Sequence, residues 1–171
     1  RRLLLTGYNP EIMDDIALPP CHTMYQFYAR PLTYVERLEW CDENIDDANE
    51  WKNPSDDTMS KKGCPKYALS LWFYCRSQDM PLGNPANIMS AALLLSMVAQ
   101  CVDMIPYELI WNGGDCHIYE NQIDGVKEQL SRDPHMYRLP KLVLNKEIHE
   151  IDDFTFDDIK IEDYKSYPTI K

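Results

Sequence analysis

The chain has 171 residues, which is enough for one well-buried domain but too few for two full ones. Apolar and charged residues make up 44% and 26% of it, a balance typical of globular proteins that excludes disorder along the whole chain. The net charge of −11 excludes a nonspecific binder of duplex nucleic acid, but it allows a single anionic ligand in a local cationic pocket.

The six cysteines contain no Cys-x-x-Cys pair, so the sequence predicts neither a zinc site nor a disulfide scaffold. We therefore expect no bound metal and a reducing, cytoplasmic setting. The longest apolar run, Ile88 to Val102, is interrupted by polar residues and is too short to cross a bilayer. The sequence accordingly predicts a soluble protein with no membrane partner.

The amino-terminal part of the chain predicts two strands on either side of a rigid segment. Leu3 to Tyr8 is typical of a short buried strand, and Thr23 to Ala29 of a second strand. Between them, Pro19-Pro20 forbids helix and predicts an extended approach into Cys21.

Residues from about 31 to 66 are richer in acidic residues than the rest of the chain. Asn53-Pro54-Ser55 interrupts this segment, and one helix is expected around Leu38 to Trp51. We interpret the segment as a surface insertion, and a solvated excursion without a catalytic role is the favoured reading.

The centre of the chain predicts a strand followed by a long helix. Tyr67 to Arg76 alternates in strand fashion, and a loop rich in proline and glycine follows it. Asn87 is then expected to be the N-cap of a helix from Ile88 to Val102, which is apolar nearly all round and therefore central.

The last third predicts further strands and one amphipathic helix. A strand is expected from Glu108 to Asn112, ending at Gly113-Gly114, and a helix from Ile118 to Arg132. Later short strands are expected at Leu139–Leu144, Phe154–Phe156 and Ile159–Ile161. The fold class is therefore α+β, with a mixed or mostly antiparallel sheet packed on a long buried helix.

Two segments carry residues that suit catalysis or anion binding. Cys21 follows the two prolines and precedes His22, and a cysteine is a good nucleophile if its thiolate is stabilised; an inert buried cysteine is the alternative. At the end of the central strand, Arg76 and Ser77 suit a phosphate group through charge-assisted hydrogen bonds. The alternative there is a weak surface ion pair between Arg76 and Asp79.

Three polar side chains further along are candidates for ligand binding. The carboxamide of Asn87 offers a donor and an acceptor, so it can pair with the edge of a uracil ring, although a helix cap is the simpler role. His117 and Tyr119 follow the glycine corner and share one face of an extended segment. An ordinary half-buried polar pair is the alternative for these two.

Taken together, these segments resemble the thymidylate synthase family. The resemblance is carried by RRLLLTGYNP, ALPPCHTMYQFY, YCRSQDMPLGNPANI, GGDCHIYENQI, RLPKLVLN and IEDYKSYPTIK, and it covers nearly all of the chain outside the acidic insertion. It implies a thymidylate-synthase-type fold that forms dimers. It also implies that residues 1–171 are the carboxy-terminal portion of the catalytic domain.

The resemblance implies transfer of a one-carbon unit from 5,10-methylenetetrahydrofolate to C5 of dUMP. Cys21 would add to C6 of the pyrimidine, with His22 in the water network beside it. Arg76 and Ser77 would hold the 5′-phosphate. Arg1 and Arg2 would reach the phosphate bound by the neighbouring subunit of a homodimer.

The resemblance assigns the other candidate residues to base, sugar and folate. Asn87 would bind the uracil edge, and His117 and Tyr119 the ribose 3′-hydroxyl. Asp79 would bind the folate pterin and support proton transfer at C5, and Gly83 would also contact the folate.

Three residues depart from the usual family pattern, and the amino-terminal half of the family is missing. Ala86 stands for a usual Phe, Ala91 for a usual Tyr and Cys75 for a usual Gln. We expect the isolated chain to be inactive and to need the missing half, which a separate polypeptide could supply. For a phage-encoded protein the setting would be the host cytoplasm.

Two other functions remain open. A dUMP hydroxymethylase of phage type would capture the exocyclic methylene with water rather than hydride, and Leu18 mildly favours methylation. A non-catalytic remnant acting as a binding protein is the alternative of another class. Cytidylate is less favoured as a substrate, because Asn87 rather than an aspartate occupies the base-binding position.

Overall fold

The computed structural model describes residues 2–46 and 51–170. Six strands and four α-helices make up the regular structure of these residues. In chain order they are β1 (Leu3–Thr6), β2 (His22–Pro31), α1 (Tyr34–Asn44), α2 (Asp56–Lys61), β3 (Tyr67–Asp79), α3 (Gly83–Cys101), β4 (Ile105–His117), α4 (Ile123–Ser131), β5 (Lys141–Leu144) and β6 (Ile159–Glu162).

The main sheet is mixed, which confirms the predicted α+β class. Its strand order is β1-β2-β3-β4, and β5 and β6 form a separate antiparallel pair. The β1–β2 and β2–β3 pairs are antiparallel, whereas β3 and β4 are parallel and are joined through α3. A parallel pair needs such a crossover connection, and the long central helix provides it.

The core lies between α3 and one face of the sheet. Strand β3 contributes Leu69, Leu71, Phe73 and Cys75, which are all buried, because β3 has a neighbouring strand on each side and a helix over this face. Helix α3 presents its small and aliphatic side chains to them, namely Ala91, Leu95 and Ala99. The predicted packing of a sheet on a long helix is therefore confirmed.

The acidic segment forms two short helices rather than the single helix expected around Leu38 to Trp51. Helix α1 begins at a capping box of Thr33 and Glu36, and α2 begins after Ser55, whose side chain accepts a hydrogen bond from a backbone N–H. Asn53-Pro54-Ser55 therefore separates two helices. Part of the expected helix, residues 47–50, lies outside the described residues.

These two helices share a small apolar cluster of their own, formed by Cys41, Met59 and Cys64. The side chain of Arg37 lies beside it and is only 5% exposed. Its guanidinium donates to the Asp56 carboxylate at 2.8 Å, to the Ser60 hydroxyl at 2.8 Å, and to backbone carbonyls. A buried charge is tolerated only when its donors are paired in this way.

The predicted start of the central helix was wrong. Helix α3 begins at Gly83, so Asn87 lies inside the helix and is not its N-cap. Pro85 suggested a loop, but proline is tolerated in the first helical turn, where its missing N–H has no intrahelical partner. Because the helix starts earlier than expected, Asn87 lies in its second turn and faces β3, where its side chain contacts Gln78.

Predictions at the two ends of the main sheet also need correction. Strand β1 is short and its side chains are exposed, with Leu3 at 62%, because β1 is an edge strand that no element among the described residues covers. Strand β4 continues through Gly113-Gly114 to His117 instead of ending at the glycines.

Two predictions in the carboxy-terminal third were too simple. The expected helix from Ile118 consists of a 3-10 turn at Glu120–Gln122 followed by α4. Phe154–Phe156 is not a strand; it follows one 3-10 turn, Ile151–Asp153, and its last residue begins another, Phe156–Asp158. Among the described residues, no helix is both long and apolar enough to cross a membrane.

The contacts of Arg37 lead to a stability prediction. Replacing Arg37 with methionine leaves the Asp56 carboxylate and several carbonyls without their donor, so we expect a loss of about 2–4 kcal/mol in the free energy of unfolding. Chemical denaturation measures it. The control Lys61→Met removes an exposed ion pair with Asp57 and should cost less than about 0.5 kcal/mol. Equal effects of the two changes would contradict the structural role of Arg37.

Candidate functional site

One end of the main sheet gathers most of the predicted site residues. Cys21 directly precedes β2, and the segment from Arg76 to Asp79 ends β3. Asn87 lies in the second turn of α3, and His117 ends β4. The strand register sets these ends beside one another, with Asp79 paired to His117. Residues far apart in sequence therefore meet because β2 and α3 begin here and β3 and β4 end here.

The side chain of Arg76 ties the cysteine segment to β3. Its Nε donates to the Pro20 carbonyl at 3.1 Å, and its Nη2 to the Pro19 carbonyl at 2.7 Å. The backbone N–H of Arg76 also donates to the Cys21 carbonyl at 2.9 Å. Proline residues donate no backbone hydrogen bond, so their carbonyls are the groups available for such an attachment. Cys21 itself is half-buried, and its thiol is not in a disulfide.

Gly114 permits the close approach of β4 at this point. A Cβ atom added to Gly114 would lie 2.6 Å from the Arg76 carbonyl oxygen and 2.8 Å from the Tyr74 hydroxyl. Any side chain there would push β4 away from the segment that holds Cys21. The glycine corner is thus a place of close backbone approach and not the end of the strand.

Asp79 is a hydrogen-bond centre at the junction of β3 and α3. Its carboxylate accepts from the backbone N–H of Leu82 at 3.1 Å and from Nε2 of Gln122 at 2.9 Å. The Gln122 hydrogen bond is the largest cause of a lowered pKa of Asp79, followed by the Leu82 N–H. Because Arg76 and Asp79 have these separate partners, the alternative of a surface ion pair between them is wrong.

His117 and Tyr119 lie side by side, as expected from their spacing. Their rings meet edge to face with centroids 4.9 Å apart. Nδ1 of His117 lies 3.3 Å from the Asp115 carbonyl and 3.7 Å from its carboxylate. The backbone N–H of Tyr119 donates to Oε1 of Gln122, which also links this pair to Asp79.

Sequence reasoning missed two residues that support the site, Gln78 and Gln122. Gln78 is 2% exposed, and its Oε1 accepts from Nδ2 of Asn87 at 3.2 Å. Alternation counted from the core residues of β3 would turn Gln78 away from α3, together with Trp72 and Arg76. Its side chain is instead buried against Asn87 of α3, so strand alternation does not predict its burial. Nothing in the local sequence of Gln122 pointed to Asp79, which is 43 residues away.

The remaining predicted residues have simpler surroundings. Ser77 is half-buried in β3 and pairs with Asp115 of β4. The ring of His22 stacks near Tyr25 and Phe73 at centroid distances of 6.3 and 6.4 Å, so it borders the core. Gly83 begins α3, where an added Cβ atom would lie 3.1 Å from Nε2 of Gln78.

Arg2 does not join this group within a single chain. Arg2 is exposed and precedes the edge strand β1, and Arg1 lies outside the described residues. Within residues 2–46 and 51–170, no three His, Cys, Asp or Glu side chains are grouped so that they could hold a metal ion.

Comparison with known proteins identifies the family of this chain. The sequence pattern of the family described as Thymidylate synthase matches residues 1–171. The chain belongs to the thymidylate synthase family. It is 39% identical over 171 residues to thymidylate synthase of Saccharomyces cerevisiae and 39% identical over 170 residues to that of Rhizobium rhizogenes. These alignments cover 100% and 99% of this chain.

The fold agrees with this membership. The solved structure of thermostable thymidylate synthase A from Bacillus subtilis superposes with a TM-score of 0.72 at 30% identity, over 98% of this chain and 47% of that one. The chain spans about half the length of its curated relatives, 47% of the S. cerevisiae protein and 46% of the R. rhizogenes protein.

The environment of Asp79 leads to a pH prediction. Replacing Gln122 with leucine removes the main hydrogen bond to the Asp79 carboxylate, so its pKa should rise toward the ordinary aspartate value. Carbon-13 NMR titration of the carboxyl group measures this rise. A pKa unchanged from that of the parent chain would contradict the assignment, and exposed Gln129→Leu is the matched control.

The same substitution should change stability in one pH range only. Since the folded-state pKa of Asp79 is lowered, its stabilising contribution is present above the unfolded pKa and is lost as the pH falls through the folded pKa. The difference in unfolding free energy between the parent chain and Gln122→Leu should therefore be larger near neutral pH than in acid.

Proposed function

We propose that this chain provides the nucleophile and most of the nucleotide-binding groups for one-carbon transfer from 5,10-methylenetetrahydrofolate to C5 of dUMP. The observation that carries the proposal is the attachment of the Pro19-Pro20-Cys21 segment to β3 by Arg76. It holds the segment that carries Cys21 at the end of the sheet where the amide of Asn87 and the His117–Tyr119 pair also lie.

The chemical step uses Cys21 to make the pyrimidine nucleophilic. The thiolate adds to C6, and the C5–C6 π electrons move through C4 to O4 to give an enolate. C5 of that enolate attacks the methylene carbon carried by the folate, and the proton at C5 is then removed. Breaking the bond between the methylene carbon and tetrahydrofolate leaves an exocyclic methylene. Hydride from the tetrahydrofolate adds to it to give the methyl group, which oxidises the folate to dihydrofolate. The C5–C6 double bond forms again as the Cys21 thiolate leaves C6, and dTMP is released.

The nucleotide would be held through its phosphate, sugar and base. Arg76 keeps further N–H groups besides those on the proline carbonyls, and these would bind the 5′-phosphate together with Ser77. His117 and Tyr119 would bind the ribose 3′-hydroxyl. Asn87 would pair with O4 and N3–H of uracil. Holding the nucleotide at three points presents C6 to Cys21 in an orientation that favours attack.

The folate would lie against the first turn of α3. Asp79, whose lowered pKa keeps it ionised at neutral pH, can accept hydrogen bonds from the pterin N–H groups. Gly83, which begins the helix next to Asp79, would also contact the folate. His22, at the border of the core, would contact water near Cys21. No step in this proposal requires a metal ion.

Residues from outside this chain would complete the site. We propose a homodimer in which Arg1 and Arg2 reach the partner's phosphate, together with the half of the family sequence that this chain does not span, on the same or a separate polypeptide. The exposed sheet face opposite α3 is a suitable dimer surface, because Tyr28 is 54% and Ile110 45% exposed there.

Light scattering tests this assembly. We expect a mass of two copies or a multiple of two, and Ile110→Lys on the exposed sheet face should lower it because a buried unpaired ammonium opposes association. Val35→Lys, on exposed α1, is the control and should leave the mass unchanged. A single-copy mass for the unaltered protein would contradict the proposed dimer.

Covalent capture of the nucleotide tests the chemistry. We expect 5-fluoro-dUMP with methylenetetrahydrofolate to form a stable adduct on Cys21, detected by intact-mass and peptide mass spectrometry, because fluorine at C5 cannot leave as a proton does. Cys21→Ser should abolish the adduct. Cys101→Ser, at the far end of α3, should retain it.

Failure of the protein that carries this chain at natural length to form any adduct would contradict the proposed function. It would favour the non-catalytic binding protein instead. Product analysis with unmodified dUMP separates the remaining pair of activities, because a methyl product identifies the synthase and a 5-hydroxymethyl product the hydroxymethylase.

A further inference from the structure

A fully buried glutamine stands behind the side chain proposed to bind the base. Gln78, near the end of β3, is 2% exposed and makes hydrogen bonds on both sides of its carboxamide. Its Nε2 donates to the Asp79 backbone carbonyl at 3.4 Å, and its Oε1 accepts from Nδ2 of Asn87 at 3.2 Å. These bonds form a chain that begins at the backbone and ends at Asn87.

The chain of hydrogen bonds has only one direction. A backbone carbonyl can only accept, so Gln78 must turn its NH₂ group toward Asp79 and its oxygen toward Asn87. An oxygen facing Asn87 can only accept as well, so Asn87 must offer its NH₂ group. The orientation of the Asn87 amide is therefore set by a backbone group that cannot change its role.

Gly83 keeps the Gln78 amide in this position. A Cβ atom on Gly83 would lie 3.1 Å from Nε2 of Gln78 and 3.5 Å from the Cβ of Asp79. A side chain there would displace the amide from between the strand end and the helix. The absence of a side chain at the first residue of α3 thus forms part of the same arrangement.

The orientation of Asn87 decides which base it can bind. Uracil presents an N3–H donor and an O4 acceptor, whereas cytosine presents an N3 acceptor and an amino donor. A freely rotating carboxamide can pair with either edge after a half-turn. With the orientation set, a second hydrogen of the Asn87 NH₂ remains for O4 and the amide oxygen for N3–H.

We propose that Gln78 is a specificity-determining positioning residue, which holds the Asn87 amide in the orientation that pairs with uracil and disfavours cytosine. This inference rests on the proposed function, in which Asn87 binds the base. Turning Asn87 to fit cytosine would set its oxygen against Oε1 of Gln78, leaving two acceptors facing each other in a buried place. A buried polar group without a hydrogen-bond partner costs more free energy than one that is paired, so this orientation of Asn87 is disfavoured.

The selectivity between dUMP and dCMP measures this role directly. Dissociation constants of both nucleotides are determined by calorimetry on the protein that carries this chain at its natural length. In Gln78→Met the amide of Asn87 is free to turn, so the preference for dUMP over dCMP should fall by about tenfold, the factor set by one unsatisfied buried hydrogen-bonding group.

Two further variants keep the test valid if Gln78→Met folds poorly. Gly83→Ala keeps the Gln78 amide but crowds it, and alanine favours a helix start, so it should fold and should also lose part of the preference. Gln78→Glu still turns an acceptor oxygen toward Asn87 in either protonation state. It should therefore retain the preference for dUMP.

The control is Gln100→Met. At the helical rise per residue, Gln100 lies about 20 Å from Asn87 along α3. The Gln100 amide likewise donates to two backbone carbonyls, those of Asn145 and Ile148 at 2.8 Å. Its loss should lower stability and leave the ratio of the two dissociation constants unchanged. A merely structural role of Gln78 would give the same result as Gln100.

The outcomes separate this inference from the function on which it rests. A reduced preference in Gln78→Met and Gly83→Ala, with the preference kept in Gln78→Glu, supports the positioning role. If the parent protein prefers dUMP and Gln78→Met keeps that preference, the positioning role is overturned while the proposed function stands. If the parent protein binds neither nucleotide, both are overturned.

Discussion

The attachment of Arg76 to the carbonyls of Pro19 and Pro20 is the interaction on which the site depends. It joins the start of β2 to the end of β3, so that Cys21 lies at the edge where α3 begins and β4 ends. The attachment also places a permanent positive charge at the segment that carries Cys21, which suits an anionic ligand. Gly114 belongs to the same arrangement, because it lets β4 pass close to the Arg76 carbonyl.

Much of the fold could be predicted because its signals are local. The alternation in β3 and the continuous apolar character of α3 identified the two elements that form the core. The start of α3 was harder to predict, because Pro85 is typical of a loop although it is also compatible with a first helical turn. Leu3 in β1 is exposed because no element among the described residues covers this strand. The local sequence pattern does not show whether a strand will be covered.

The sequence predicted a site residue where its chemistry and its immediate neighbours together indicate a role, as for Cys21 after two prolines. It was not predictable where a side chain acts through a partner distant in sequence. Gln122 donates a hydrogen bond to Asp79, which is 43 residues away in sequence. Gln78 is buried, although alternation along β3 assigns it to solvent. Such residues support the groups that touch ligands, and their role appears only once the strand ends and helix starts are assembled.

A crystal structure of the protein with 5-fluoro-dUMP and methylenetetrahydrofolate tests the account most directly. The account predicts continuous density between Sγ of Cys21 and C6 of the pyrimidine, with the base edge at Asn87 and the phosphate at Arg76. A nucleotide bound elsewhere, with Arg76 still on the proline carbonyls and Cys21 unmodified, would contradict it.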